Sequence, residues 1–421
     1  MNKRPIIAVL SFPGNNCEVE SLRAIKDSGM EARFFRWNDD RSKLKDVDGY
    51  FVPGGFSYED RGRSGMVAAR DSLMQFLHEE STAGKAIIGN CNGAQILVES
   101  GLIPLDAGLR MCLARNVIET ERGSEAVGFL NEWVWIKRTC KPGRCATAFF
   151  EGIMHLPMAH GEGRFTTKDK DMIDELKKND QIAFSYCDAE GNVSTDPIVT
   201  PNGSLFAIAG ICNPAGNVVA LMPHPERTPG GKPYFDSLKQ WFSTPRRGAA
   251  IPGRDSRASM PAPQGKYSLG NRKSKSTEIF IDTIIVNNEE RTVEQAAKRI
   301  APRLKLKQWK YISLQSDALD YIFSNIAVFN PNKERAFIKK DGKVLRWNAQ
   351  QKKAEVSDAD AFEGISLLRR DVPDTGAGSF GHGSETGVCY TMHNVSESDL
   401  AKAELLEIFA NPHASTLERM H

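Results

Sequence analysis

A chain of 421 residues is too long for one ordinary core, so two or three domains are expected. Hydrophobic residues at 40% and charged residues at 26% are the balance of a soluble globular protein. The net charge of +2 excludes a strong bulk attraction to nucleic acid or membrane. No apolar stretch is long enough to span a bilayer. The basic start and the apolar run 6–10 are too short for a signal peptide, and Pro13-Gly14 follows as after a first strand. The eight cysteines form no CxxC pair and have no neighbouring histidine pair, so no bound metal and a reducing, cytoplasmic setting are expected.

In chain order, 6–10 is a candidate strand, followed by a helix over 19–27 that stops at Gly29. Residues 31–36 and 50–52 are further strands, 64–78 has helical spacing, 86–88 is a buried strand, and 92–100 is a helix closed by Gly101. Strands at 205–212 and 218–221 and a helix near 235–242 complete this half. The alternation predicts an α/β domain over 1–243, with a doubly wound, mostly parallel sheet. Residues 244–276 are rich in Pro, Gly, Ser and Arg, with eight Lys or Arg between 244 and 275 against the single acid Asp255. That composition predicts a disordered, solvated basic linker. Beyond it, a strand over 278–286, a helix over 293–303, strands at 311–314 and 336–338, and a helix over 397–409 predict a second, smaller α+β domain over 277–421.

The strongest chemical signal is Gly89-Asn90-Cys91-Asn92-Gly93, between a buried strand and a helix. A tight strand-to-helix turn pushes its central side chain out of the sheet, and flanking glycines leave room for the strained backbone. The sulfur would sit at a helix N-terminus, where unpaired N–H groups and the macrodipole favour negative charge. A buried structural cysteine between two incidental glycines is the alternative for this motif taken alone.

Met222-Pro223-His224-Pro225-Glu226-Arg227 follows the strand 218–221. Two prolines argue against a helix, so the segment is extended or turning, and in an extended chain residues two apart point the same way. Glu226 can therefore hold the tautomer of His224 and stabilise its cation, as the orienting acid of a triad does. Both motifs follow strands, so both reach the carboxyl edge of the sheet. The strand over 50–52 runs into Pro53-Gly54-Gly55-Phe56-Ser57. There the Gly55 N–H and that of Asn92, next after the cysteine, are candidate oxyanion donors. An ordinary turn is the alternative reading of Gly-Gly.

Together these elements resemble the class I glutamine amidotransferases, whose fold is flavodoxin-like. Within them they resemble the PurQ type, the glutaminase subunit of phosphoribosylformylglycinamidine synthase. The likeness is carried by Phe12-Pro13-Gly14-Asn15-Asn16-Cys17, Pro53-Gly54-Gly55-Phe56-Ser57-Tyr58 and Gly89-Asn90-Cys91-Asn92-Gly93-Ala94-Gln95. Ala159-His160-Gly161-Glu162-Gly163-Arg164-Phe165 and Met222-Pro223-His224-Pro225-Glu226-Arg227 complete it. The resemblance implies that Cys91 is the nucleophile, His224 the base and Glu226 its orienter, with Gly55 and Asn92 as the oxyanion hole. It places Gly54, Gln95, His160 and Glu162 at the glutamine pocket. It departs at Phe129-Leu130-Asn131-Glu132-Trp133-Val134, where the family usually has Phe-x-x-Arg-Trp-Val. Extra residues also lie between Asn116 and Phe129, and Ala94 replaces a common aromatic.

In the tail, Val388-Cys389-Tyr390-Thr391, Ser396-Glu397-Ser398-Asp399-Leu400 and Phe409-Ala410-Asn411-Pro412 resemble the end of the family's small bridging subunit, PurS. The region 278–315 is placed to supply its first strand and helix. The loop 374–387 holds five glycines and His382; without the strand-to-helix setting of a phosphate cradle, which is the alternative, a flexible solvated loop is expected.

The family's reaction would release ammonia from glutamine for a separate large synthetase subunit, which uses ATP and Mg²⁺ to amidate formylglycinamide ribonucleotide. This chain carries no Gly-x-x-x-x-Gly-Lys motif, so no cofactor is expected on it, and neither nucleic acid nor membrane is expected as a partner. Two rival readings are an amidotransferase serving another acceptor and a non-catalytic assembly or regulatory subunit on the same scaffold.

Overall fold

The computed structural model describes residues 4–106, 108–121, 123–244, 269–315, 319–357 and 362–420. The chain divides into two compact units, Met1–Gly265 and Lys266–His421.

The first unit is built on a nine-stranded sheet. Five strands run parallel in the order Glu31–Arg36, Ile6–Ser11, Gly49–Val52, Ala86–Asn90, Val218–Leu221. Four antiparallel strands extend that sheet: Ile208–Cys212, Ile182–Cys187, Leu130–Arg138 and Ile153–His160. The parallel strands other than the edge strand Glu31–Arg36 are almost wholly buried because helices cover both faces. Side chains alternate between two cores with the period of two that a strand imposes. Ala8, Leu10, Tyr50 and Ile87 join Leu73, Leu77 and Leu97 on one face. Ile7, Val9, Phe51 and Ile88 join Ile25, Phe235 and Leu238 on the other.

Two expected boundaries differ. The helix expected over 64–78 is broken into Met66–Ala69 and Ser72–Thr82, because the Asp71 carboxylate accepts the N–H of Leu73 and starts a new helix. The strand expected from 205 begins at Ile208, since Leu205–Ala207 form a 3₁₀ turn with left-handed Phe206.

The helix Asn92–Glu99 lies so close to the sheet that a Cβ on Gly93 would sit 1.9 Å from the carbonyl oxygen of Val52. Gly93→Ala must lift the helix off the strand. We expect a loss of about 3 kcal/mol from overpacking of backbone against backbone, read as a fall in Tm of roughly 6–12 °C. An unchanged melting curve would mean that the helix is seated less tightly.

The second unit is a nine-stranded sheet of its own. Its order is Gly270–Arg272, Ser415–Met420, Ile365–Asp371, Glu385–His393, Lys305–Leu314, Thr277–Thr283, Glu334–Lys340, Lys343–Asn348, Lys353–Val356, antiparallel throughout except for the first pair. The strand expected over 278–286 is Thr277–Thr283, and the helix expected over 293–303 is Asn288–Lys298, whose N-terminus is set by Asn287 accepting the N–H of Glu290. The helix expected over 397–409 is two pieces, Glu397–Leu400 behind a Ser396–Asp399 capping box and Ala403–Phe409.

The basic linker expected over 244–276 lies largely outside the described residues, but its end is corrected. Gly270–Arg272 is a strand, and Arg272 is buried among Glu385, Glu418 and the Tyr311 hydroxyl. A buried guanidinium is retained where several acceptors meet it, so its charge marks an ion cluster and not a solvated segment. The glycine-rich loop 374–387 is closed on itself, with Asp374 accepting from Thr386 and Ala377. It joins two strands. No helix among the described residues is long and apolar enough to cross a membrane.

Candidate active site

Cys91 stands between the strand Ala86–Asn90 and the helix Asn92–Glu99 with φ 50° and ψ −110°. A non-glycine residue with this backbone is strained, and such strain is kept where a side chain must be aimed. The surroundings enforce it. A Cβ on Gly89 would lie 2.6 Å from the Gly93 backbone, and the Cys91 N–H is tied to the Leu221 carbonyl at 2.8 Å. That bond joins the elbow to the strand that delivers the histidine. The Cys91 sulfur lies 3.6 Å from the Ala159 carbonyl, and the residue is 4% exposed.

His224 leaves that strand with its N–H on the Pro157 carbonyl at 2.9 Å. Of the two conformations expected, extended or turning, the segment after it takes the second, a 3₁₀ turn over Pro225–Arg227, because Pro225 presets the first turn residue. The turn nevertheless brings Glu226 Oε1 to 2.6 Å from His224 Nδ1. Glu226 Oε2 accepts from Asn90 Nδ2 at 3.2 Å, and the Tyr234 hydroxyl donates to Asn90 Oδ1 at 3.1 Å. With Nδ1 engaged, Nε2 is the nitrogen left for Cys91. It has no hydrogen-bond partner at ordinary distance, while the Cys91 sulfur is its electrostatic neighbour. Such pairs are often loose before substrate arrives. Burial opposes the imidazolium, but the negative charge of Cys91 and Glu226 outweighs it and holds the His224 pKa well above its ordinary value. Burial likewise opposes the Glu226 carboxylate, and His224 reverses the effect and lowers its pKa.

Three residues around the imidazole escaped the motif reading. Asn90 belongs to the elbow motif, yet nothing in its spacing announces a contact with Glu226. Cys17 Sγ lies 4.0 Å from His224 Nδ1 and accepts from Arg227 Nη2 at 3.0 Å. Burial pushes the Cys17 thiol pKa up. The only signal for Cys17 and Arg227 was their place in motif stretches. Cys17, His224 and Glu226 bring ligand atoms within 4.8 Å of one another, the one such metal-capable group among the described residues. The Arg227 cation at the sulfur and the carboxylate on Nδ1 fit a hydrogen-bonded network better than a divalent ion.

The other expected site residues fall into two groups. Gly54 packs beneath the base: a Cβ there would lie 2.7 Å from His224 Cε1. Gly55, at φ 140°, lies against Asn15, whose amide reaches the Pro53 and Gly54 carbonyls and Asn92 Oδ1. This ties the Gly-Gly turn to the elbow, so Gly55 and Asn92 are brought together. Gln95 is buried, donating to the Glu162 carbonyl and accepting from Asn92 at 2.8 Å. Its amide braces the helix against the turn. His160 is buried with neither ring nitrogen partnered, and Glu162 accepts the N–H of Ser64 at 2.9 Å. Asn116 anchors this turn through the His160 carbonyl and the Gly163 N–H. The extra residues after Asn116 form a small hairpin, Val117–Thr120 with Gly123–Ala126, and Glu132 is exposed on Leu130–Arg138.

A cysteine elbow, an acid-held histidine and a Gly-Gly turn on a mixed sheet define a triad amidotransferase. Residues 4–236 match the CobB/CobQ-like glutamine amidotransferase domain, and the chain belongs to that family. More particularly, it is 42% identical over 261 residues to phosphoribosylformylglycinamidine synthase subunit PurQ of Methanothrix thermoacetophila, covering 57% of this chain and 99% of the relative. The Pyrococcus furiosus subunit of the same name is 34% identical over 242 residues, covering 56% of this chain and 97% of the relative. Among solved structures, a chain of PurLQS from Thermotoga maritima is similar at 29% identity and a TM-score of 0.44, covering 57% of this chain and 99% of that one.

Proposed function

We propose that this chain is the glutaminase component of phosphoribosylformylglycinamidine synthase, releasing ammonia from L-glutamine for purine synthesis. The observation that carries the chemistry is the strained Cys91 facing an imidazole whose other nitrogen is held by Glu226 at 2.6 Å. The Cys91 sulfur attacks the side-chain amide carbon of glutamine, and the oxyanion is met by the backbone N–H groups of Gly55 and Asn92. His224 passes its proton to the departing ammonia, leaving a γ-glutamyl thioester. Water, deprotonated by the same imidazole, then releases glutamate. The likeness to PurQ supports delivery of that ammonia to a synthetase subunit that uses ATP and Mg²⁺ to amidate formylglycinamide ribonucleotide.

We read the second unit as the PurS-like assembly module. The strand Thr277–Thr283 with the helix Asn288–Lys298 supplies the beginning that likeness needs, and Glu385–His393 through Ser415–Met420 supplies the end.

One reconstitution tests both readings. The full chain, mixed with a synthetase subunit, ATP, Mg²⁺ and the ribonucleotide, is expected to support glutamine-dependent amidation with matching glutamate release. Failure to release glutamate, alone or in the mixture, would defeat the glutaminase reading. A strict requirement for a separate bridging subunit would remove that role from the second unit.

A further inference from the structure

The Gly54-Gly55 peptide supplies one N–H of the oxyanion hole, and two glycines in a row leave that peptide free to rotate. Turned over, it would aim a carbonyl oxygen where the N–H is needed, and the hole would be lost. Nothing in the triad prevents this. The loop after the first strand does.

Asn15 and Gly55 form an isolated antiparallel bridge. Its flanking bonds run from the Asn16 N–H to the Gly54 carbonyl at 3.3 Å and from the Phe56 N–H to the Gly14 carbonyl at 2.9 Å. In a pair bracketed in this way, each residue's own N–H points away from the facing chain. Peptide planarity gives the same answer: the Gly54 oxygen faces the loop, so the Gly55 N–H faces the other way. The Gly54 oxygen also takes the Cys17 N–H and Asn15 Nδ2, each at 3.3 Å. Turning the peptide over would strip that oxygen of three donors. The backbones are in close contact as well. A Cβ on Gly55 would lie 2.6 Å from Asn15 Cα, and one on Gly14 would lie 2.2 Å from the Phe56 carbonyl oxygen.

The Asn15 side chain carries the lock across to the second donor. Its oxygen accepts the Phe12 N–H at 2.7 Å, which fixes the opposite direction for its amide. Besides the Gly54 carbonyl, that amide reaches the Pro53 carbonyl at 3.3 Å and Asn92 Oδ1 at 3.4 Å. Asn92 is turned to receive it, because its own amide donates to Gln95 Oε1 at 2.8 Å and to Asp60 Oδ1 at 3.3 Å. The Ser57 N–H closes the clamp on Asn92 Oδ1 at 3.0 Å. Among the described residues, the backbone N–H groups of Gly55 and Asn92 meet no protein acceptor. Both donors are held, and both are open.

We propose that Asn15 is a positioning residue for the reaction: its amide locks the Gly54-Gly55 peptide to the elbow and so holds the oxyanion hole assembled. The inference rests on the glutaminase reading and adds to it a side chain that acts only through the backbone donors.

The test follows glutamate release by the full chain mixed with the synthetase subunit. Asn15→Asp keeps the oxygen that the Phe12 N–H needs and sets an acceptor, in place of the amide, against three other acceptors. It is expected to lower kcat at least about tenfold with KM within about twofold, since the hole acts in the transition state. Alkylation of Cys91 by iodoacetamide, read by mass spectrometry, displaces iodide at a saturated carbon and forms no oxyanion. Its rate should match the parent's. Asn15→Ala removes the amide without adding charge; it should show the same split and serves if Asn15→Asp does not fold. An unchanged kcat, a rise in KM alone, or alkylation slowed as much as kcat overturns the assignment. If the parent chain is alkylated at Cys91 yet releases no glutamate, alone or in the mixture, the glutaminase reading itself fails, and the inference falls with it.

Discussion

Cys91→Ala is expected to lower glutamine-dependent amidation by at least about a thousandfold, while amidation from added ammonium salt by the assembled complex persists. The expectation follows from where the sulfur sits. Its strained turn aims it out of the sheet, its neighbour His224 is positioned to exchange its proton, and no other described thiol takes its place. Cys17 is near the same imidazole but on the Nδ1 side, fully buried and held by Arg227. It cannot reach an amide carbon lying over the Gly55–Asn92 turn. Alanine removes a small buried side chain and leaves the turn's glycines in place, so the complex should still assemble and use ammonia. Glutamate release from glutamine at the parent rate would mean the nucleophile lies elsewhere. Loss of both glutamine- and ammonia-dependent synthesis would mean the substitution acted on assembly and not on chemistry.

The parts of this site that were legible in the sequence are those where local geometry leaves few choices. A Gly-x-Cys-x-Gly between a buried strand and a helix suits a tight elbow, and Gly89 and Gly93 meet the backbone contacts that require them. Pro225 beside His224 likewise constrains the segment, which takes the turning and not the extended form of the two expected. What was not legible depends on contacts between distant segments. Cys17 meets Arg227 across 210 positions and Asn90 meets Glu226 across 136, and no spacing rule reaches that far. Asp60 was hidden for a different reason. Its backbone is left-handed, and the local sequence Tyr58-Glu59-Asp60 has no glycine to announce it.

The same division runs through the fold. The parallel strands were visible as short apolar runs because both their faces are covered. The antiparallel strands Leu130–Arg138 and Ile153–His160 mix exposed and buried positions and carry a proline, and no strand was assigned there. In the second unit, Asn287 and Ser396 set helix starts by side-chain capping, and a reading led by apolar spacing misplaced the first of these helices and ran the second through its break. Arg272 was read as one more linker charge because the sequence does not reveal that Glu385 and Glu418 converge on it.

Glu226→Gln should be nearly as damaging as loss of the nucleophile, and the neighbouring contacts explain why. Tyr234 donates to Asn90 Oδ1, which leaves the Asn90 amide N–H₂ facing Glu226. A glutamine at 226 must therefore turn its oxygen toward Asn90 and its N–H₂ toward His224 Nδ1. Nδ1 then becomes the acceptor, the proton moves to Nε2, and the imidazole faces Cys91 in the tautomer that cannot take its proton. The expected cost is about a thousandfold in kcat with little change in KM. The charge is lost as well. An anion beside an imidazole favours the cation, so removing it lowers the His224 pKa, and the alkaline limb of the kcat/KM profile moves to lower pH. Adding Asn90→Asp to Glu226→Gln gives the glutamine N–H₂ an acceptor and returns its oxygen to Nδ1. The double variant should recover at least about tenfold of the lost rate. Recovery of nothing, from a double variant that melts like the parent, would show that Glu226 acts by some means other than holding the tautomer.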